Sequence, residues 1–303
     1  MSVRDRQPIL VIAPVPPDLR EALGRTYDLI DDFDLETDAR KTAEVVLTTS
    51  MAGASRERLQ AMTGARLLAC NGAGLDRIDL DAAREQNIAV RNTPGVVTDD
   101  TADMAIGLIY AVARNIVAAD AFVRQGKWAS GRMAPSRRVV GKRVGIVGLG
   151  RIGRAIADRL NGAGLQVAYA GPRRKPESPY GYFATVRDLA EASDFLVLSC
   201  PGGEATRGIV DADVLRALGP DGVLINVSRG SVVDEPALIA ALQDGTIAGA
   251  GLDVFSTEPE PDARFMTMAN VVLQPHSASI TRETRQAMIA MIKDAIDGYW
   301  RSK

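Results

Sequence analysis

The sequence predicts an α/β chain with two doubly wound parallel sheets, the second domain inserted into the first, and three observations carry that expectation. Short apolar runs alternate with amphipathic stretches over residues 1–96, and the alternation resumes at greater length from 143 to 272. One run, 144–147, stops at glycines placed as Gly148, Gly150 and Gly153. Apolar runs separated by helical segments are the mark of parallel strands buried on both faces by crossover helices.

Taken in order, residues 9–13, 45–48, 67–70 and 88–90 are expected as strands of the first sheet. Asn71-Gly72-Ala73-Gly74 directly follows one strand end and precedes 76–81, where the next helix is expected to open. Open parallel sheets bind ligands at such loops, where exposed amides receive anions; a glycine turn without a ligand is the alternative. Thr93-Pro94-Gly95 breaks the pattern, and Thr98-Asp99-Asp100 supplies a cap and first-turn acids for a long helix to about Arg124. Met104, Ile106, Leu108, Ile109, Val112, Ile116 and Val117 cover nearly all its faces, which predicts a helix buried between two domains. Strands near 143–147, 166–170, 194–199, 222–227, 247–252 and 271–274 form the second sheet. The helix from about Ser279 to Trp300 is expected to return to the first domain, which otherwise lacks a closing helix.

The run Val-Gly-Leu-Gly-Arg-Ile-Gly at 147–153 reads as a buried strand turning sharply into a helix. Gly148 permits the turn, Gly150 lets the backbone approach a pyrophosphate, and Gly153 lets the helix pack closely on the strand. Amides at that helix start hold the phosphates. The helix shows Ile152, Ile156 and Leu160 on one face and closes at Gly162 and Gly164. Residues 97–281 are therefore assigned as a dinucleotide-binding domain, with 1–96 and 282–303 forming a substrate domain.

Composition narrows the class of partner. At 303 residues, with 46% hydrophobic and 24% charged, the chain can bury two cores. Lys plus Arg (36) nearly balances Asp plus Glu (38), so no basic field points to nucleic acid or an anionic membrane, and a small-molecule substrate is expected. Cys70 and Cys200 end apolar runs and form neither CxxC nor metal-ligand spacing, so they are expected as buried thiols in a reducing compartment with no metal site. The N-terminal apolar run is broken by Pro14, Pro16 and Pro17, and no stretch approaches the ~20 apolar residues of a membrane span. A cytoplasmic protein is expected.

Three polar residues follow three successive strands of the second sheet: Arg229 after 224–227, Glu258 after 249–254 and His276 after 271–273. Strand carboxyl ends share one edge, so these side chains can converge on a common cleft. His276 is the single histidine of the chain. Histidine titrates near neutrality and suits general acid-base work. A lone histidine is commonly structural, but Pro275 before it and the matching Arg and Glu favour a chemical role.

These motifs resemble a family. Gly148-Leu149-Gly150-Arg151-Ile152-Gly153, Asn226-Val227-Ser228-Arg229-Gly230, Gly251-Leu252-Asp253-Val254-Phe255 through Glu258-Pro259, and Gln274-Pro275-His276-Ser277-Ala278-Ser279 resemble the D-isomer-specific 2-hydroxyacid dehydrogenases, from about residue 65 to the end. Asn92-Thr93-Pro94 with Thr98-Asp99-Asp100-Thr101-Ala102-Asp103, and 222–226 followed by Val233-Asp234-Glu235-Pro236, look most like the glyoxylate/hydroxypyruvate and hydroxyphenylpyruvate reductases. The resemblance implies a Rossmann domain inserted in a flavodoxin-like substrate domain. It makes Arg229 the group that binds the substrate carboxylate and carbonyl oxygen, His276 the proton donor as hydride arrives, and Glu258 the orienter of the imidazole. Asn71, Gly72, Ala73 and Gly74 would take the carboxylate from the other domain, so that closure assembles the site. Cofactor contacts are implied for the glycine loop with Leu149, Arg151 and Ile152, and for Thr101, Cys200, Pro201, Thr206, Val227, Ser228, Asp253 and Ser279. A homodimer through the dinucleotide-binding domain is implied as well. Trp128 resembles the segment by which some members cover the neighbouring subunit, and Gly131 stands where glyoxylate reductases often carry a second aromatic, whose loss is expected to widen the pocket.

Cofactor choice is read at 167–175. An NAD enzyme normally ends this strand with an acid that binds the ribose 2′-hydroxyl. Gly171 holds that place, followed by Pro172-Arg173-Arg174-Lys175. The missing negative charge and adjacent positive ones favour NADPH, with NADH second, although related NADP enzymes often place Arg where Pro172 stands; Arg173 and Arg174 must then bind the 2′-phosphate. The expected activity is NADPH-dependent reduction of small 2-keto acids to D-2-hydroxy acids, glyoxylate and hydroxypyruvate first and arylpyruvates next. An NAD-linked phosphoglycerate or D-lactate dehydrogenase is the alternative within the class, opposed by Gly171. A dinucleotide-sensing corepressor of the same fold is the alternative outside it, separated by turnover.

Overall fold

The structure is a computed structural model that describes residues 6–303. The chain divides into two compact units, one formed by the chain up to Val97 together with Ile280–Lys303 and the other by Thr98–Ser279.

The first unit contains β1 (Pro8–Val11), α1 (Pro17–Gly24), β2 (Asp28–Asp31), α2 (Ala39–Thr42), β3 (Val45–Thr49), α3 (Arg56–Ala61), β4 (Leu67–Asn71), α4 (Leu80–Glu85) and β5 (Ala89–Arg91). Its five strands are all parallel, in the order β2-β1-β3-β4-β5. That is the flavodoxin-like order, with its reversal between β1 and β3. Ile9, Leu10, Val11, Val45, Val46 and Leu47 are fully buried, as central parallel strands covered on both faces require. Strand β2, Asp-Leu-Ile-Asp, is an addition to the sequence reading: it is a short edge strand whose terminal acids protect the open ladder, so its apolar signal is weak. Asp79 caps α4 by accepting from the Ala82 amide at 2.7 Å, which starts that helix nearer the end of 76–81 than the sequence suggested.

The second unit opens with α5 (Thr98–Ala113) and α6 (Ile116–Arg124). It continues through β6 (Arg143–Val147), α7 (Arg151–Gly162), β7 (Gln166–Ala170), β8 (Gly181–Phe183), α8 (Val186–Glu191) and β9 (Phe195–Leu198). The last part holds α9 (Ala212–Leu218), β10 (Val223–Asn226), α10 (Glu235–Gln243), β11 (Gly249–Leu252) and β12 (Val271–Leu273). Seven parallel strands lie in the order β12-β11-β10-β9-β6-β7-β8, the Rossmann order extended by one strand, with its switch point between β6 and β9. Side chains alternate between two cores. Val147, Leu196, Leu198, Leu224 and Leu252 meet α8, α9 and α10 through Leu189, Leu215 and Leu238. Val144, Ile146, Val197 and Ile225 meet α5 and α7 through Leu108, Ile109, Ile156 and Leu160. The three-residue edge strand β8 was not expected either; its Tyr182 ring tilts against Tyr169, with centroids 5.3 Å apart.

The long helix expected from Thr98 to Arg124 is two helices. Asn115 adopts a left-handed conformation (φ 51°), and α6 leaves α5 at 59°. Ala102, Ala105, Leu108 and Ile109 of α5 are buried, and Arg159 of α7 pairs with its Asp99 and Asp103 at 2.7 and 2.9 Å. Ile116 and Val117, expected to be buried, are 51% and 59% exposed. A straight helix would carry them along the sheet-facing axis; the break at Asn115 turns them away from the sheet. Among the described residues no single helix is long and apolar enough to cross a membrane; α5 and α6 reach that composition only as this bent pair.

The chain ends in α11 (Arg282–Arg301), in the first unit. Thr281 caps it by accepting from the Thr284 amide at 3.1 Å, and Ile292 and Ile296 complete the core formed by Ile9, Val11, Leu19, Leu23, Val45 and Leu47.

Candidate active site

At the carboxyl end of β6 the chain turns at Gly148, whose φ of 93° excludes an ordinary side chain and whose added Cβ would lie 2.7 Å from the Cys200 Cα. Gly153 is fixed by close approach: a Cβ there would meet the Gly148 carbonyl oxygen at 2.1 Å. Gly150 differs from both. No protein atom lies within 4 Å of the Cβ it lacks, and its extended backbone forms the cap of α7. Packing therefore does not demand a glycine at 150, whereas a phosphate approaching the amides of the helix start does, so the loop fits a dinucleotide.

Arg229, Glu258 and His276 follow β10, β11 and β12, three neighbouring strands of one sheet. Backbone hydrogen bonds tie their loops together: the Asp253 amide donates to Asn226 O at 3.0 Å, and the His276 amide donates to Asp253 O at 2.8 Å. The Arg229 loop is shaped by Asn226, whose side chain accepts from the Ser228 amide and donates to Arg229 O, both at 3.0 Å. Gly230 follows because a Cβ there would lie 1.9 Å from the Phe255 carbonyl. The Arg229 guanidinium donates to Ser228 O at 2.8 Å.

Glu258 and His276 meet directly, Nδ1 to Oε2 at 2.8 Å. The other carboxylate oxygen accepts the Phe255 amide at 2.9 Å, and the Glu258 side chain is 7% exposed against 26% for His276. A carboxylate accepting at Nδ1 places the ring proton there and leaves Nε2 to the solvent-facing side. His276 itself sits at φ 52°, sparsely populated for a residue with a Cβ. The buried Asp253 carboxylate holds that conformation by accepting the Ser277 and Ala278 amides at 2.8 and 3.0 Å; burial pushes its pKa up, against those two bonds.

The remaining second-unit candidates lie around these loops. Ser228 donates from its hydroxyl to Cys200 O; Cys200 is 8% exposed, and burial raises its thiol pKa, so it is a packing group rather than a nucleophile. Thr206 bonds back to Pro201 O at 2.7 Å and shapes the turn after β9. Val227 and Thr101 are buried, Ser279 half-buried, Arg151 exposed. Gly171 directly follows β7 with no protein atom within 4 Å of an added Cβ, and Arg173 and Arg174 stand exposed after it.

In the first unit, Gly72 takes φ 144° and an added Cβ would strike the Ser50 hydroxyl at 2.1 Å. The carbonyls of Gly72 and Ala73 accept from the Thr93 amide at 3.1 Å and the Asn92 side chain at 2.7 Å. The amides of Gly72, Ala73 and Gly74 donate to no protein acceptor among the described residues, the arrangement of an anion-binding turn.

The family model described as D-isomer specific 2-hydroxyacid dehydrogenase, NAD binding domain, matches residues 106–278. This chain belongs to the D-isomer-specific 2-hydroxyacid dehydrogenases. Among its relatives in that family, a 2-ketogluconate reductase of Gluconobacter oxydans is 42% identical over 297 residues, covering 97% of this chain and 96% of the relative. A hydroxyphenylpyruvate reductase of Plectranthus scutellarioides is 39% identical over 301 residues, with 97% and 96% covered. The crystal structure of an NADPH-dependent glyoxylate/hydroxypyruvate reductase from Sinorhizobium meliloti, in complex with NADP and malonate, superposes with a TM-score of 0.91 at 38% identity, covering 98% of this chain and 94% of the other. The dehydrogenase is thus an oxidoreductase whose larger unit is an NAD-binding Rossmann domain. Its sequence left three supporting residues unassigned: Asn92, which holds the Ala73 carbonyl; Gly230, which lets two site loops pass; and Lys175, which reaches the glycine loop. Only Gly230, as a glycine directly after a site arginine, carried a local signal.

Proposed function

We propose that this enzyme reduces small 2-keto acids to D-2-hydroxy acids with NADPH, and the observation that carries the reading is the His276–Glu258 pair beside the strand end that bears Arg229. The bound cofactor supplies hydride to the keto carbon. Arg229 binds the substrate carboxylate and the carbonyl oxygen through its planar fork, and polarises the carbonyl. His276, protonated at both nitrogens, gives its Nε2 proton to that oxygen, so the keto acid gains one hydride and one proton. Glu258 holds the ring by Nδ1 and stabilises the imidazolium before transfer. In the first unit, the outward amides of Gly72, Ala73 and Gly74 bind a carboxylate. Glyoxylate and hydroxypyruvate are the first substrates, then arylpyruvates; relatives named for glyoxylate/hydroxypyruvate and hydroxyphenylpyruvate reduction support that range. Steady-state turnover of a keto-acid panel with NADPH and NADH tests the reading, and no turnover with any 2-keto acid refutes it.

The preference for NADPH rests on Gly171, Arg173 and Arg174. The double variant Arg173→Ala/Arg174→Ala is expected to lower the NADPH/NADH ratio of kcat/KM by at least ~10-fold, because two charge-assisted bonds to a 2′-phosphate are lost while NADH has no phosphate to lose. Gly171→Asp shifts the ratio the same way, by repelling the phosphate and accepting from the ribose hydroxyl. An unchanged ratio makes the cluster a solvated turn.

The enzyme is also proposed to act as a homodimer through its dinucleotide-binding domain. Large exposed apolar side chains concentrate in one segment of it: Ile116, Val117, Val123, Trp128, Met133 and Val140. A monomer rarely leaves such a run in water. Ile116→Asp/Val123→Asp, two turns apart on one face of α6, is expected to convert a dimer to a monomer in light scattering; a wild-type monomer ends this proposal.

A further inference from the structure

Lys175 is the basic residue of the turn after β7 that does not face solvent. Arg173 and Arg174 are exposed, whereas Lys175 is half-buried and forms no ion pair among the described residues. Its ammonium donates instead to the Leu149 carbonyl, at 2.5 Å, inside the glycine loop. Its own amide donates to the Tyr169 hydroxyl at 2.6 Å, and Tyr182, tilted against Tyr169, donates from its hydroxyl to Gly171 O at 3.2 Å. Tyr169 is 1% exposed, so the turn from 171 to 175 is anchored at both ends on a rigid ring pair. From there it reaches back to the pyrophosphate loop through one cation.

The bond made to Leu149 matters because of which peptide group it belongs to. The carbonyl of Leu149 and the N–H of Gly150 share one planar trans unit, so they point in opposite directions. A cation fixed on the carbonyl side therefore sets the direction of the Gly150 N–H. It also polarises the group toward a stronger donor. That N–H donates to no acceptor among the described residues, and the space beside Gly150 is open. A neutral carbonyl with no charged partner does not need an ammonium to satisfy it; the placement of a half-buried cation there is explained by what the far side of the peptide binds.

We infer that Lys175 is a positioning residue for the dinucleotide: it orients the Gly150 N–H toward the pyrophosphate and fixes the turn carrying Arg173 and Arg174 against the glycine loop, without itself touching the 2′-phosphate. The inference rests on the reading of residues 148–153 as the pyrophosphate loop. It separates from the NADPH preference because its first consequence falls on a part common to both nucleotides. In titrations of nucleotide fluorescence, Lys175→Met is expected to weaken NADH about 10-fold and NADPH by at least as much. Lys175→Arg, which keeps a donor on the carbonyl, restores most of both. At saturating cofactor, kcat stays within about 2-fold of wild type, and in the cofactor-free Lys175→Met protein amide exchange quickens at residue 175, whose N–H donates to the Tyr169 hydroxyl, and at Ser178, whose N–H donates to the residue 175 carbonyl at 3.0 Å. An enzyme that proves to prefer NADH fails the NADPH reading but still shows the NADH loss. Lys175→Met that weakens NADPH alone makes Lys175 a phosphate ligand and overturns the inference. Unchanged exchange, or a loss of kcat equal to the loss of binding, overturns it as well.

Discussion

His276→Ala is expected to lower kcat by about 10²- to 10⁴-fold while NADPH binding stays near wild type, the size that removal of a positioned general acid produces. The ring is held from three sides: by Glu258 at Nδ1, by the Asp253 carbonyl on its amide, and by the Asp253 carboxylate on the two residues that follow. Nothing else in the chain can substitute as an imidazole, since there is no second histidine. Glu258→Gln gives the companion result. It keeps an acceptor near Nδ1 but removes the charge that stabilises imidazolium, so it lowers turnover less than the alanine variant. Turnover of His276→Ala close to wild type, measured with saturating keto acid and cofactor, excludes His276 as the proton donor.

Arg229→Ala is expected to raise KM for the keto acid and lower kcat together, reducing kcat/KM by about 10²- to 10³-fold. Two charge-assisted hydrogen bonds are worth roughly 3–6 kcal/mol before solvent screening, and the bond to the carbonyl oxygen strengthens as charge builds there. Arg229→Lys recovers only part of this, because an ammonium cannot present the planar fork to carboxylate and carbonyl at once. The loop itself survives either change, since Asn226 holds the Arg229 backbone and Gly230 provides the clearance against Phe255. Retention of both kinetic parameters in the alanine variant would make Arg229 a structural residue, with its donation to Ser228 O part of that role.

Central strands were legible in the sequence because burial on both faces leaves unbroken apolar runs, as in 45–49, 143–147 and 223–226. Two of the four edge strands were not: β2 and β8 pair on one side only, so Asp28, Asp31 and Gly181 are tolerated there and the pattern fades, whereas the edge strands β5 and β12 keep apolar runs that could be read. The helix break at Asn115 was hidden for another reason. Apolar residues at 116, 117 and 123 have helical spacing wherever they point, and composition does not tell a face buried in the fold from one left exposed.

The sequence by itself determined the α/β class, the glycine loop and the candidate chemistry, because each depends on residue type at short spacing: a turn that only glycine allows, a strand end that carries an Arg, a Glu or a His, and a β7 end without an acid. Tertiary structure alone decided how these are combined. The order β12-β11-β10 brings Arg229, Glu258 and His276 to adjacent strand ends across 47 positions of sequence, and the 2.8 Å bond between Glu258 and His276 joins residues 18 apart that no local rule pairs. Likewise, Lys175 reads as one of three surface charges until the fold lays its stem against the loop 26 residues earlier. Local sequence fixes backbone conformation over a few residues; which loops share an edge follows from how the whole sheet buries its apolar faces.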